Sequence, residues 1–168
     1  LQMINIYDYE TLSADVQLAP VVNIACLTID EDRFLSDSPF TLLEIVDLSK
    51  TMKFDIVEQV TKFGRVIDHE TLAWWKKRGP EALKQLAPSD TDVSITELPA
   101  FMSNIFTDGE LVFTRGNTFD PVLTTSICKA LKQPEPYKFW DVRDTRTFIE
   151  GIALGHGIEI SNSFIPTN

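Results

Sequence analysis

The chain has 168 residues, of which 43% are hydrophobic and 24% are charged, a balance typical of a globular domain that buries a core. Its 15 basic and 25 acidic residues give a net charge of −10, which argues against tight, processive binding along nucleic acid. No apolar run approaches the roughly 18 residues that span a bilayer, and no basic leader precedes the acidic N-terminal region. We expect one cytoplasmic domain without membrane contacts, in which Cys26 and Cys128 are buried free thiols.

The first predicted strand runs from about Met3 to Tyr7 and leads into an acidic pair, Asp8 and Glu10. Residues i and i+2 of an extended strand project from the same face, so the two carboxylates would lie side by side. Like charges this close repel unless a cation lies between them, and carboxylate oxygens are ligands of hard cations such as Mg²⁺. The pattern alone favours a strand that ends in a polar turn, with a cation site as the alternative.

The rest of the chain alternates strand and helix patterns, which predicts an α/β sandwich around a mixed sheet. The predicted elements are, in chain order, strands over residues 20–29 and 42–46, a helix over 68–78, a short helix from Pro80, a capping box at Ser94 and Glu97 that begins a helix, a strand over 111–114, a helix from Asp120, and a last helix over about 144–154.

A second acidic position lies between the strand over 111–114 and the following helix. Gly116 and Asn117 suit a turn, and the apolar residues after Asp120 recur at helical spacing. Asp120 therefore begins a helix that follows a strand. These residues alone favour the interpretation of Asp120 as a capping or first-turn aspartate, which the helix dipole stabilises.

Four segments carry a family resemblance when they are taken together and in order. Asp8-Tyr9-Glu10-Thr11-Leu12 resembles the first motif of DEDD-type 3′–5′ exonucleases of the ribonuclease-H-like fold, and Asn117-Thr118-Phe119-Asp120 resembles their second motif, N-x-x-F-D. With Trp74-Trp75 between them and Arg143-Asp144-Thr145-Arg146-Thr147 after them, the order resembles the subgroup typified by exonuclease A of T-even bacteriophages and its mycobacterial exoribonuclease relatives. The resemblance extends from about residue 5 to about residue 150.

This resemblance implies a ribonuclease-H-like α/β fold and two-metal hydrolysis of phosphodiester bonds at the 3′ end of DNA or RNA. Asp8 would bridge two ions, Mg²⁺ or Mn²⁺; Glu10 would bind the ion on the side of the nucleophile, and Asp120 would bind the other ion. The implied substrate-binding residues are Thr11, Leu12, Trp75, Asn117, Phe119, Arg143 and Arg146.

The two adjacent tryptophans are expected to have different roles. Adjacent residues of a helix point about 100° apart, so Trp74 and Trp75 cannot share the centre of one face. We expect one of them to pack in the core and the other to face the substrate cleft, where an aromatic ring can stack on a base. Lys76-Lys77-Arg78 and Arg115 are candidate local contacts for phosphates, although cations also suit the end of a helix.

The chain departs from the family pattern after Asp144, because no further Asp follows and the third motif, a His or Tyr followed by the fourth metal-binding Asp, is not found. We therefore expect a single, C-terminally truncated domain over residues 1–168 that lacks the helix carrying this motif, binds metal poorly and is nearly inactive. His156, Glu159 and the cluster around His69 are weak replacements. A nuclease-fold module that binds or regulates without catalysis, and an unrelated α/β domain, remain alternatives.

Overall fold

The computed structural model describes residues 2–34 and 36–159. Within them the strands are β1 (Met3–Thr11), β2 (Val21–Asp30), β3 (Lys50–Lys53), β4 (Leu111–Thr114) and β5 (Val142–Asp144). They form one sheet in the order β3-β2-β1-β4-β5, in which β1 and β3 run antiparallel to β2, whereas β4 runs parallel to both β1 and β5. The predicted mixed sheet is therefore confirmed, and its central strand carries Asp8 and Glu10.

Eight α-helices accompany these strands in the described residues. They are α1 (Glu31–Phe34), α2 (Leu42–Leu48), α3 (Ile56–Phe63), α4 (His69–Lys77), α5 (Pro80–Leu86), α6 (Leu98–Ile105), α7 (Asp120–Leu131) and α8 (Thr145–Gly155). The predicted helix starts at Pro80 and Asp120 are confirmed, and Asp68 caps α4 by accepting from the backbone N–H groups of Glu70 and Thr71. The predicted end of the domain at residues 160–168 lies outside the described residues.

The predicted strand over residues 42–46 is wrong, because this segment forms α2. The Thr41 hydroxyl accepts from the Glu44 N–H, and the Glu44 carboxylate accepts from the Thr41 N–H, so that a capping box begins the helix. This local pairing outweighs the β-branched and apolar residues on which the strand prediction depended. The third strand is instead the next segment, Lys50–Lys53.

Two boundaries also differ from the prediction. β1 continues to Thr11 because it pairs with β2 along its whole length, so Asp8 and Glu10 lie inside the strand and not after it. Ser94 caps a 3₁₀ turn, Ile95–Glu97, by accepting from the N–H of Thr96, and the α-helix begins only afterwards with a proline in its first turn.

The main core lies between the sheet and helices that include α6 and α7. Its largest fully buried side chains include Tyr7, Ile24, Leu98, Met102 and Leu123. Both cysteines are buried free thiols, as predicted. Burial raises the pKa of the Cys26 thiol to about 12 and that of Cys128 to about 11.

A second, smaller cluster joins β1 and β2 to α4 and α5. Leu12, Val22 and Trp75 are its buried members, and Leu72 and Leu86 pack against them. This cluster fixes α4 beside the end of β1, and α4 consequently forms one wall of the cleft described below. No helix in residues 2–34 and 36–159 has the length and apolar character required to cross a membrane.

Candidate active site

The two carboxylates of β1 owe their direction to the alternation of the strand. Tyr7 and Tyr9 point into the core, with 2% and 6% of their surface exposed, so Asp8 and Glu10 project from the opposite face. Partial burial in a cleft raises the pKa of Asp8, although much of its side chain remains exposed to solvent. The predicted side-by-side arrangement is therefore present.

Asp120 reaches the same region from the start of α7. Only 5% of its surface is exposed, and the nearby backbone N–H of Tyr9 favours the ionised form of its carboxylate. The strand β4 pairs with β1 only at Ile4, Asn5 and Ile6, which leaves this edge of β1 accessible to the aspartate. The start of α7 thus lies beside the part of β1 that carries the other two predicted metal ligands.

The turn from β4 into α7 depends on Gly116. Its φ of 117° lies in a region that favours glycine, and a Cβ at this position would lie 3.2 Å from Nη1 of Arg146. The glycine therefore lets the turn pass close to the guanidinium of Arg146, which lines the cleft beside Asp120.

Segments distant along the chain enclose one open cleft of about 660 Å³. The residues that line it are Asp8, Tyr9, Glu10, Thr11, Ser13, Ala14, Asp68, Glu70, Thr71, Trp74, Trp75, Arg115, Phe119, Asp120 and Arg146. The structure thus brings Asp8, Glu10 and Asp120 to one site, together with four members of the predicted set of substrate-binding residues: Thr11, Trp75, Phe119 and Arg146.

The three carboxylates disfavour one another's ionisation. Burial, followed by the charge of Asp8, raises the pKa of Asp120 to about 7, while the Tyr9 N–H and Arg146 oppose the shift. Burial and then Asp8 also raise the pKa of Glu10, against the opposing charge of Arg78. A bound cation would favour all three ionised forms, so the electrostatics of the cleft suit a positive ligand.

The donor set consists of oxygens, as Mg²⁺ and Mn²⁺ prefer. Among the described residues, no three His, Cys, Asp or Glu side chains are already close enough together to hold an ion. Asp8, Glu10 and Asp120 nevertheless line one cleft and shift one another's pKa, so they fit a cation site in their chemistry and position.

One tryptophan packs in the core, as predicted, and it is Trp75. Only 4% of Trp75 is exposed, and its Nε1 donates to the backbone oxygen of Thr11 at 2.9 Å. Trp74 is 38% exposed, and the guanidinium of Arg78 lies 4.4 Å from the centre of its ring. Both tryptophans line the cleft, but Trp75 is mostly packed in the wall and Trp74 presents the more accessible aromatic surface.

Three predicted substrate-binding residues lie outside the residues that line the cleft. Leu12 is 2% exposed and packs beneath it. Asn117 accepts from the Thr114 hydroxyl at 3.5 Å and lines a separate, smaller cavity. Arg143 directs Nη1 to the backbone oxygens of Trp140 and Val142, at 2.7 and 2.8 Å. Their predicted contacts with a substrate are not supported by this cleft.

Asp68, the acidic residue before α4, lines the cleft but caps this helix. The Thr71 hydroxyl and backbone N–H groups lower the pKa of Asp68, which favours its ionised form. His156 and Glu159 are exposed at the end of α8 and do not line the cleft. The sequence prediction missed Ser13, which directly follows the first motif, and named Arg115 only as a candidate phosphate contact. It left open which of Trp74 and Trp75 faces the cleft.

The chain is similar to a known protein family and to a phage enzyme. The model of the 3′–5′ exoribonuclease Rv2179c-like domain matches residues 4–164. The exodeoxyribonuclease of Enterobacteria phage T4 is 29% identical over 168 residues, and the match covers 89% of this chain and 71% of the phage protein. Both findings confirm the resemblance that the motifs indicate.

Solved structures of E. coli exonuclease I share the fold. Its zinc-bound complex with single-stranded DNA has a TM-score of 0.63 at 12% identity, over 95% of this chain and 31% of that one. Its complex with a 5cy-dA13 oligonucleotide has a TM-score of 0.63 at 13% identity, over 91% of this chain and 30% of that one. The chain spans less than a third of these proteins, and the similarity confirms the ribonuclease-H-like α/β fold.

Proposed function

Because this chain belongs to the family of 3′–5′ exoribonuclease Rv2179c-like domains, we propose that it hydrolyses phosphodiester bonds at the 3′ end of a nucleic-acid strand. The observation that supports this most is the meeting of Asp8, Glu10 and Asp120 from two separate segments in one cleft. These carboxylates would hold two divalent ions, Mg²⁺ or Mn²⁺. When bound, such ions activate water and stabilise the leaving 3′ oxygen.

The cleft also offers groups for the substrate itself. Arg115 and Arg146 line it and favour the ionised forms of Asp8 and Asp120, respectively. Their guanidinium groups can bind the phosphates near the terminal bond. Trp74 offers an accessible ring on which a base can stack. These few contacts suit the grip of one strand end, which agrees with a chain whose net charge is −10.

The residues at this site account for only part of the set that the family resemblance implies. Asp8, Glu10 and Asp120 match the first two motifs, and the neighbouring Asp68 is engaged in capping α4. No lining residue in the described part of the chain is a His or Tyr in the place expected of the general base. In this proposal the described residues alone therefore act slowly.

The test uses single-stranded DNA and RNA oligonucleotides that are labelled at the 5′ end, because shortening from the 3′ end then gives a ladder of labelled products. We expect a slow ladder with Mn²⁺, its absence with a chelator, and its loss in Asp8→Asn and Asp120→Asn. Asp47→Asn, on the exposed α2, is the matched control and keeps the wild-type rate. Release of the 5′-labelled nucleotide first, or an unchanged rate in Asp8→Asn, would contradict the proposal.

The same experiment separates the non-catalytic alternative. If the chain retains an oligonucleotide in the presence of chelator and produces no ladder with either metal, it is a binding module built on the nuclease fold. The DNA and RNA series also decide between the substrates named for the phage relative and for the family, an exodeoxyribonuclease and an exoribonuclease.

A further inference from the structure

Four buried hydroxyl groups meet behind the face of β1 that carries the carboxylates. They belong to Tyr7, Tyr9, Thr124 and Tyr137, and none of these residues is more than 8% exposed. The Thr124 hydroxyl lies 3.1 Å from that of Tyr7 and 2.8 Å from that of Tyr9. The hydroxyls of Tyr7 and Tyr137 are 2.5 Å apart.

The direction of each hydrogen bond follows from the number of protons. Thr124 Oγ1 donates its one proton to the backbone oxygen of Asp120 at 3.0 Å, so the hydroxyls of Tyr7 and Tyr9 donate to Thr124. For Tyr9 this acceptor, at 2.8 Å, is preferred to the Met102 sulfur at 3.6 Å, which is the weaker acceptor. The proton of Tyr7 is thereby used, and Tyr137 donates to it. Burial raises the pKa of all three tyrosines, that of Tyr137 to about 12, so each phenol keeps its proton at neutral pH.

This network connects the two elements that carry the proposed metal ligands. Tyr7 and Tyr9 alternate with Asp8 and Glu10 along β1, and Thr124 lies one helical turn after Asp120 in α7. In the part of the chain that the structure describes, β4 pairs with β1 no further than Ile6, so strand pairing does not hold β1 and α7 together at the cleft. The hydroxyl network links them there.

An ordinary packing role does not account for the whole arrangement. A threonine inside a helix commonly donates to the carbonyl four residues earlier, as Thr124 does. Here both remaining lone pairs of the same hydroxyl accept from residues of a different element, more than 110 positions away in sequence. The carbonyl that receives the proton belongs to the residue whose carboxylate lines the cleft.

We propose that Thr124 is a positioning residue which, held by Tyr7 and Tyr9, fixes the first turn of α7 so that Asp120 faces Asp8 and Glu10. Its consequence for metal binding rests on the function proposed above, whereas its effect on the geometry of α7 does not. Loss of a group that orients a metal ligand typically weakens metal binding about 10-fold or more.

The experiment compares Thr124→Val, which removes the hydroxyl at nearly constant volume, with Thr124→Ser, which retains it. The readouts are Mn²⁺ affinity by calorimetry and hydrogen exchange at the Tyr9 amide. We expect Thr124→Val to lower the affinity about 10-fold and to accelerate exchange at Tyr9, and Thr124→Ser to restore both. Thr125→Val is the control, because that hydroxyl donates to Glu135 away from the cleft.

Unchanged Mn²⁺ affinity and unchanged Tyr9 exchange in a folded Thr124→Val protein would overturn the proposal, whatever the loss in stability. If Thr124→Val does not fold, Tyr9→Phe removes one donor of the same network and is judged by the same readouts. If the wild type binds no Mn²⁺, the proposed function is refuted, and exchange at the Tyr9 amide alone decides whether Thr124 holds α7 against β1.

Discussion

The two faces of β1 differ in how their polar groups are satisfied. On the core face, Tyr7 and Tyr9 place their hydroxyls in a closed network with Thr124. On the cleft face, Asp8 and Glu10 lie beside each other with raised pKa values, because burial disfavours their charged forms more than Arg115 and Arg78 favour them. On the core face of β1 the tyrosine hydroxyls are hydrogen-bonded and stabilise the fold. On the cleft face the ionised carboxylates are unfavourable without a cation, as expected where a rigid element supports a functional site.

The largest effect on activity should follow from a substitution on the cleft face of β1. We expect Asp8→Asn to lower the rate of 3′-end hydrolysis about 1,000-fold, because the charge stabilisation supplied by bound metal amounts to several kcal/mol. Its thermal midpoint without metal should not fall, since a repulsive charge beside Glu10 is removed. Rates of product-ladder formation and thermal melts measure the two quantities. A large loss of stability in Asp8→Asn would show that the cleft face of β1 also stabilises the fold.

The pH dependence of the free energy of unfolding tests how much the ionised Asp120 destabilises the protein. The pKa of Asp120 rises from 3.8 to about 7 in the folded protein, so the native state holds more protons than the unfolded state between these values. The free energy of unfolding should therefore fall as pH rises from about 4 to about 7. Asp120→Asn should remove much of this slope and be about 1–2 kcal/mol more stable than the wild type at pH 8.

Urea unfolding at pH 5 and pH 8, without metal, provides the measurement. Asp47→Asn serves again as the exposed control and should follow the wild type at both values. A wild-type curve with the same slope as Asp120→Asn would mean that this carboxylate does not carry the cost assigned to it.

On the core face, Tyr7→Phe should lower stability, in contrast to the substitutions of Asp8 and Asp120 on the cleft side. It leaves the Tyr137 hydroxyl without its acceptor and removes one donor to Thr124, which should lower the free energy of unfolding by about 1–2 kcal/mol. Because Tyr9 still donates to Thr124, Mn²⁺ affinity should change less than in Thr124→Val. Urea unfolding and calorimetry test both parts, and a stability equal to that of the wild type would contradict the assigned bonds.

A smaller effect is expected at the turn that precedes α7. Gly116→Ala places a Cβ at a φ of 117° and 3.2 Å from Arg146, so we expect a loss of about 1 kcal/mol and a raised KM for oligonucleotide. Gly151→Ala, in α8 with open space around its Cβ, should be neutral or slightly stabilising. Equal stability and KM in the two variants would show that the approach to Arg146 has no consequence.

The parts of this architecture that depend on local patterns were predictable. A period of two directs Asp8 and Glu10 to one face, and helical spacing places Asp120 at the start of α7. The motif order then identified the family. The error at α2 arose because the Thr41 and Glu44 capping box competes with an apolar, β-branched run, and single-sequence patterns do not weigh the two against each other.

Features that join distant segments were not predictable. The hydroxyl bonds of Thr124 span more than 110 residues, so no spacing rule indicates them. The choice between Trp74 and Trp75 depends on the rotation of α4 about its axis, which its packing against Leu12 and Val22 determines. Arg143 and Arg146 separate because one lies in β5 and the other in the first turn of α8.

The burial of both cysteines has a practical consequence for all of these measurements. A thiol reacts as its thiolate, and the pKa values of about 12 and about 11 keep Cys26 and Cys128 protonated in the core. A single cysteine introduced on the surface would therefore be modified selectively by a maleimide dye without removal of the natural pair. Fluorescent versions of each variant could then report on oligonucleotide binding in an otherwise unaltered protein.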